Sequence, residues 1–301
     1  MADVGEPGSP PTRRPGAPGH HPQPPARSRA GRNLPAAFAV GGGLGAAVLA
    51  SLLLWRPSFL AVILAAGAVA TWEVARTLRR SGVRPPLVPL LAGGAAMVVG
   101  AWFWGPEALY LSLLATVLAV LVWRLADGPA GYQSDVSAGT LIAVYVPFLA
   151  GFAALLAAPD DGHWRVLLML MVVVLTDTGG YAAGVLFGRH PMAPVVSPKK
   201  SWEGLAGSLL AAAVGGAVAL PVLFEVAWWW GAPFGLLVAA SAVLGDLAES
   251  LLKRDLGVKD MSSLLPGHGG LMDRLDSILF AAPTAYLLLG VLGGYDTGTL
   301  A

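Results

Sequence analysis

The sequence predicts an all-α, polytopic integral membrane protein with about nine transmembrane helices. Three observations carry that prediction. Hydrophobic residues fill 55% of the 301 positions and charged residues only 12%, with a mean hydropathy of +0.67, far from the averages of soluble domains. The apolar residues gather into nine runs, each close to the roughly 20 residues that cross a hydrocarbon core. Nearly all Lys and Arg fall on alternate loops between those runs, the asymmetry that cytoplasmic loops show. The chain has no cysteine, which excludes disulfides, thiolate zinc sites and cysteine nucleophiles. Any catalysis then falls to oxygen, nitrogen or a hard metal. The formal net charge of +1 is silent about partners, because attraction of anions depends on where charges sit.

Residues 1–33 are rich in Pro, Gly and Arg and carry no apolar period, so they cannot bury enough surface to offset ordering entropy. They are read as a disordered cytoplasmic tail. The first apolar core comes too late for a secretory signal, and Asp3 and Glu6 argue against a transit peptide. The runs follow in order at 34–54, 59–78, 87–104, 109–126, 136–157, 164–188, 205–226, 228–252 and 271–292, separated by short loops of Pro, Gly, Asp and Arg. Arg56-Pro57 leaves a very short turn between the first two. Alternation places every one of the 19 basic residues except Arg56 and Arg165 on the side of the tail. Trp102, Trp104, Trp164 and the Trp228-Trp229-Trp230 run fall on the opposite side, as an interfacial aromatic belt. The expected topology is a multi-pass protein of the cytoplasmic membrane with its N-terminus cytoplasmic. Residues 34–130 form N-terminal transmembrane helices, and residues 131–301 form a catalytic transmembrane region with its site on the cytoplasmic side. No internal repeat is evident.

Ionisable residues inside these runs are expensive, at least about 2.5 to 3.5 kcal/mol near the bilayer centre, and so point to function. The sixth run reads LTDTGGYAAG. Asp177 lies halfway along it, Tyr181 shares its face, and Gly180 with Gly184 lets another helix approach closely. The alternative is a packing helix whose acid pairs with a neighbour. The eighth run ends LGDLAESLLKRD, where Asp246, Glu249, Ser250 and Lys253 form one polar stripe at i, i+3, i+4 and i+7. An internal Glu249–Lys253 ion pair would account for part of that stripe and leave Asp246 unexplained. Asp273 and Asp276 stand on one face at the start of the ninth run, where acids also serve as helix caps. Carboxylates at both ends of a loop, with few histidines, suit a hard cation such as magnesium. Lys199, Lys200, Lys253, Arg254, Lys259 and Arg274 lie at the same level and could neutralise a polyphosphate. The Pro266-Gly267-His268-Gly269-Gly270 turn permits close backbone approach to a phosphate. His268 is either a participant or a solvated loop histidine.

The stretch SLLKRDLGVKDMSSLLPGHGGLMDRLDS, residues 250–277, resembles the signature of the phosphatidate cytidylyltransferases, or CDP-diacylglycerol synthases. A second stretch, DTGGYAAGVLFGRHPMAPVVSPKKSWEG at 177–204, is similar to that family's cytoplasmic loop, with Met192-Ala193 and Ser201 departing from the expected pattern. The resemblance covers roughly the C-terminal half. It implies conversion of CTP and phosphatidic acid to CDP-diacylglycerol and pyrophosphate in phospholipid biosynthesis, with one or two Mg2+ ions. It assigns Asp246, Asp273, Lys253 and Lys259 to catalysis, with Asp246, Asp273 and Asp276 on the metal. Lys199, Lys200, Arg254, His268, Arg274, Asp177, Tyr181 and Glu249 would line the substrate. The expected partners are CTP, phosphatidic acid and the bilayer, with no nucleic acid; a homodimer is an option. Two other classes compete: a CTP-dependent enzyme acting on another lipid phosphate or a polyprenol, and an ion-coupled transporter. The clustering of charge at one face argues against the transporter.

Overall fold

The computed structural model describes residues 34–265 and 269–292, with side chains from residue 41 onward. The expected tail and the Pro266-Gly267-His268 segment therefore lie outside the described residues, as do residues 293–301. Nine helices make up the described chain, with one short hairpin: α1 Leu34–Leu54, α2 Pro57–Arg80, α3 Leu87–Trp104, α4 Pro106–Leu125, α5 Tyr132–Ala157, α6 Gly162–Phe187, α7 Trp202–Phe224, α8 Gly231–Asp255 and α9 Met272–Leu292. Helices α2 to α9 are each long and apolar enough to cross a membrane, and α1 contributes a shorter apolar stretch over Gly41–Leu54. Each predicted run has become one helix. The all-α polytopic architecture holds, and the protein is a multi-pass membrane protein.

Local chemistry sets the breaks. Pro57 and Pro106 open α2 and α4 in the first turn, where a missing N–H costs nothing. Gly105, at φ +81, makes the one-residue corner between α3 and α4, a conformation that L side chains resist. Arg79 and Arg80 close α2 against its negative dipole end. Helix α5 contains a π-helical segment, Val144–Phe148, around Pro147. A proline removes an N–H from the ladder, and the wider turn absorbs the gap. Ser201 caps α7 by accepting from the Gly204 N–H at 3.0 Å.

Helix α5 runs through the middle of the core: Ile142, Ala143, Val146, Ala154, Leu156 and Ala157 are fully buried. The outer faces are apolar too. Leu114, Leu118 and Val122 on α4, and Leu210, Val214, Val218 and Val222 on α7, recur every fourth residue and are exposed, as lipid-facing stripes must be. The described helices before and after residue 130 belong to one compact unit.

The charges sort to the two ends of the helices. At one end Arg56 donates to the Pro159 carbonyl at 2.5 Å and pairs with Asp160 at 3.2 Å, while Arg165 pairs with Asp161 at 2.7 Å. Both basic residues of the sparse side thus stand beside an acid. At the other end, the adjoining ends of α2, α4, α8 and α9 and the α2–α3, α6–α7 and α8–α9 connections carry the other basic residues among the described ones. An unforeseen feature lies there: β1, Pro191–Ala193, pairs antiparallel with β2, Ser197–Ser201, in a small hairpin. Arg254 Nε donates to the Val196 carbonyl at 3.2 Å, fastening the hairpin turn to the end of α8.

Candidate active site

Two close helix crossings build the site. Helices α6 and α7 meet through glycines: a Cβ on Gly179 would stand 2.7 Å from the Gly207 carbonyl, and one on Gly207 equally close to the Gly179 carbonyl. Helices α8 and α9 meet where Gly245 lies against the backbone of Asp276, leaving no space for a Cβ. Small residues let backbones approach where lipid supplies no hydrophobic drive. The first crossing places Asp177 and Tyr181 beside the hairpin; the second places Asp246 beside Asp276.

Between them lies a cleft of about 220 Å³ lined by Asp177, Tyr181, Lys199, Lys200, Asp246 and Ser277, among others. Lys200 Nζ pairs with Asp246 Oδ2 at 2.6 Å, so the hairpin delivers a cation onto the α8 stripe. Ser250 donates weakly, at 3.4 Å, to the other oxygen of Asp246. Lys199 is exposed and faces the cleft. Asp177 lies within electrostatic reach of Asp246, Asp276, Lys200 and Arg274. Acids and bases thus share one opening.

Behind the cleft a second knot ties the α8–α9 loop. Lys253 Nζ bridges Glu249 Oε2 and Asp273 Oδ1, the latter at 2.9 Å. Asp273 Oδ2 accepts from the N–H of Gly270 at 2.7 Å and of Met261 at 3.0 Å. Helix capping and ion pairing thus coexist on this carboxylate. Glu249 is fully buried, and its Oε1 has no partner among the described residues. Asp276 is buried, with Oδ1 accepting from the Ser277 N–H at 2.6 Å. Gly269 adopts φ +84, and a Cβ at Gly270 would stand 2.8 Å from Glu73 Oε2, so the described part of the glycine turn needs its glycines.

Asp177, Tyr181, Lys199, Lys200 and Asp246 are brought together in the cleft, and Glu249, Lys253, Asp273 and Asp276 in or beside the knot. Arg254 secures the hairpin from outside the cleft lining, and Arg274 and Lys259 are exposed without a polar partner among the described residues. His268 lies outside the described residues. Sequence reasoning missed Glu73. This buried α2 carboxylate accepts from Ser262 Oγ at 2.5 Å, from the Leu271 N–H at 3.1 Å and from the Met272 N–H at 2.8 Å. It caps α9 from another helix and fixes the loop that holds Asp273. As an acid within an apolar run, it satisfied the same cost argument as Asp177.

Among the described residues, no group of three or more His, Asp or Glu side chains forms a ready-made metal cage. The donor set still fits a hard divalent ion that completes its shell with substrate phosphate and water: Asp246 opens onto the cleft, Asp276 adjoins it, and a buried Glu249 oxygen is unpartnered. Asp273 would join only where Lys253 gives up Oδ1.

Residues 36–292 match the cytidylyltransferase family. The chain belongs to that family. Family membership leaves the transporter reading without support. The chain is 44% identical over 278 residues to the phosphatidate cytidylyltransferase of Mycobacterium bovis, covering 88% of this chain and 91% of the relative. It is 44% identical over 282 residues to that of Mycobacterium leprae, covering 88% and 90%. A more distant relative, the phosphatidate cytidylyltransferase of Helicobacter pylori, is 43% identical over 149 residues, covering 48% of this chain and 55% of the relative. Within the stretch that carried the resemblance, Lys253 and Asp273 pair to close the knot behind the cleft.

Proposed function

We propose that this family member is a phosphatidate cytidylyltransferase, forming CDP-diacylglycerol and pyrophosphate from CTP and phosphatidic acid. The observation that carries the reading is the cleft in which Lys199, Lys200, Asp246 and Asp177 converge at the basic end of apolar helices. A water-soluble polyphosphate can enter there while diacyl chains stay in lipid. The basic-rich end faces the cytoplasm, where CTP is found.

A phosphate oxygen of the lipid attacks the α-phosphorus of CTP, forming one P–O bond as the bond to the pyrophosphate oxygen breaks. Such a transfer asks the protein mainly for positioning and charge stabilisation. Lys199 is free to take a phosphate. Lys200 and Lys253 rest on Asp246 and Asp273 and exchange those partners for substrate phosphates. That exchange frees Asp246 and Asp273, with Asp276 beside them, to hold Mg2+, which would supply Lewis-acid charge on the reacting phosphates. Tyr181, exposed on the cleft wall, positions the lipid or the nucleotide; Arg254, by holding the hairpin, positions Lys199 and Lys200. Lys259 and Arg274, exposed cations on the α8–α9 connection and the first turn of α9, attract the anionic substrates; His268 keeps the substrate role that the resemblance implies.

The test is incorporation of labelled cytidine from CTP into lipid by the purified protein with Mg2+. Parallel reactions would contain phosphatidic acid, a polyprenyl phosphate and an ether-linked glycerol phosphate. Label in the phosphatidic acid product alone is expected. Label in either other lipid and none in phosphatidic acid would replace the substrate assigned here, and no label in any would remove the activity.

A further inference from the structure

A second polar hollow at the basic end shares no lining residue with the cleft. It measures about 430 Å³ and is lined by Arg79 at the end of α2, Arg84 and Pro85-Pro86 in the following loop, the first residues of α3, and Trp123, Arg124 and Asp127 at the end of α4. Arg84 is exposed, and its guanidinium has no polar partner among the described residues; its backbone N–H donates to Asp135 Oδ1 at 2.5 Å. Arg79 is exposed and makes one long contact, 3.3 Å to the Pro85 carbonyl.

Arg124 is 5% exposed, unusual for an arginine at a helix end. Its Nη1 pairs with Asp127, its Nη2 pairs with Asp135 at 2.8 Å, and its Nε has no partner among the described residues. A buried donor left without an acceptor costs about 1 to 3 kcal/mol. Helix α3 opens on the same hollow with no side-chain cap, so its first N–H groups also want an acceptor. Three independent sources of donors therefore line one hollow: the exposed guanidiniums of Arg79 and Arg84, of which only Arg79 makes a polar contact among the described residues, a single long one; the buried Arg124 with its unpartnered Nε; and a helix start.

Charge and surroundings select the ligand. The guanidiniums of Arg79, Arg84 and Arg124 stand against the carboxylates of Asp127 and Asp135, leaving an excess of one positive charge. A phosphodiester carries one negative charge, whereas a phosphomonoester carries about 1.5 to 2 at neutral pH. The rim is apolar on its lipid side: Trp123 is 50% exposed and Val88 60% exposed, and a tryptophan so placed belongs at headgroup level. Basic pockets between transmembrane helices are suited to anionic headgroups. We propose that this hollow binds the phosphodiester headgroup of an anionic phospholipid from the surrounding leaflet, separately from the reacting substrate. The site does not depend on the reaction assigned to the cleft.

The test uses the whole protein, delipidated in neutral detergent and titrated with dioleoylphosphatidylglycerol, with dioleoylphosphatidylcholine and with inorganic phosphate, retained adducts being counted by native mass spectrometry. Phosphatidylglycerol should be retained over phosphatidylcholine. The Arg79→Gln/Arg84→Gln pair should weaken that binding by about tenfold or more, as expected for two interfacial cations. Arg84→Gln alone, at an exposed side chain with no partner to lose, should give a smaller loss in the same direction and serves if the pair is poorly folded. Unchanged phosphatidylglycerol retention in both variants overturns the site. Equal retention of phosphatidylcholine overturns the charge selection, and saturation by inorganic phosphate at equal concentration overturns the lipid source.

Discussion

Asp273 and Asp276, three residues apart, carry different burdens. Asp273 accepts from two backbone N–H groups and from Lys253, whereas Asp276 accepts from a single backbone N–H, that of Ser277. An asparagine at 273 has one acceptor where the site uses two oxygens, and its amide would face either a lysine or a backbone donor. Asp273→Asn should therefore lose about 1 to 3 kcal/mol of stability as well as activity, and Asp276→Asn should keep most of its stability. Both should lose at least about a hundredfold in Mg2+-dependent CDP-lipid formation, the scale of removing a preorganised charged group. Rates measured beside melting temperatures separate the effects: a near-normal rate in a folded Asp276→Asn protein would remove that residue from the reaction. Glu73 makes a related point from another helix. Glu73→Gln keeps the shape and one acceptor, so the Leu271 and Met272 amides should exchange hydrogen faster while distant core amides do not; unchanged exchange at both would show that the α2 carboxylate does not hold the loop.

At the scale of elements, the glycine-lined crossing of α6 on α7 is what keeps Asp177 and the hairpin lysines together. Gly207→Val should be severely destabilising, because its side chain would meet Ala183 and the Gly179 backbone, and neither can yield as a flexible side-chain tip would. Gly67→Ala, on α2 with nothing within 4 Å of its Cβ position, should be neutral or raise stability by about 0.4 to 1 kcal/mol. Melting temperatures of the two variants check the contrast, and equal values would deny the crossing its role. The helices were legible because lipid imposes a length and a composition on every span. The polar stripe of α8 was legible for the same reason: Asp246, Glu249 and Lys253 are costly unless used. The pairing was not. Lys253 makes both the expected local bond to Glu249 and an unexpected one to Asp273, twenty positions away, and Glu73 meets Ser262 across 189 positions. Spacing reports which residues share a helix face, and only packing reports which faces meet. The hairpin escaped because its strands, Pro191–Ala193 and Ser197–Ser201, are too short and too polar to show an alternating pattern.

For the whole molecule, the proposed chemistry requires one orientation. The loops after α2, α4, α6 and α8 must face the compartment that holds CTP, and the short connections at Arg56 and at Pro159-Asp160 must face away. The excess of Lys and Arg on the first set argues for that orientation through the positive-inside rule. The absence of native cysteine makes the test direct, since any introduced thiol is the sole target for a maleimide. Asp255 ends α8 and is exposed on the basic side; Asp160 is exposed on the other, where its bond to Arg56 is a surface ion pair of about 0 to 1 kcal/mol and can be spared. Ser262 is a poorer reporter, because its hydroxyl is held by Glu73. In sealed vesicles with the cytoplasmic face outward, a membrane-impermeant maleimide should label Asp255→Cys and leave Asp160→Cys unlabelled until the vesicles are opened with detergent. The opposite pattern would put the cleft on the side that lacks CTP, and the assigned reaction would then fail even if every distance in the cleft were right.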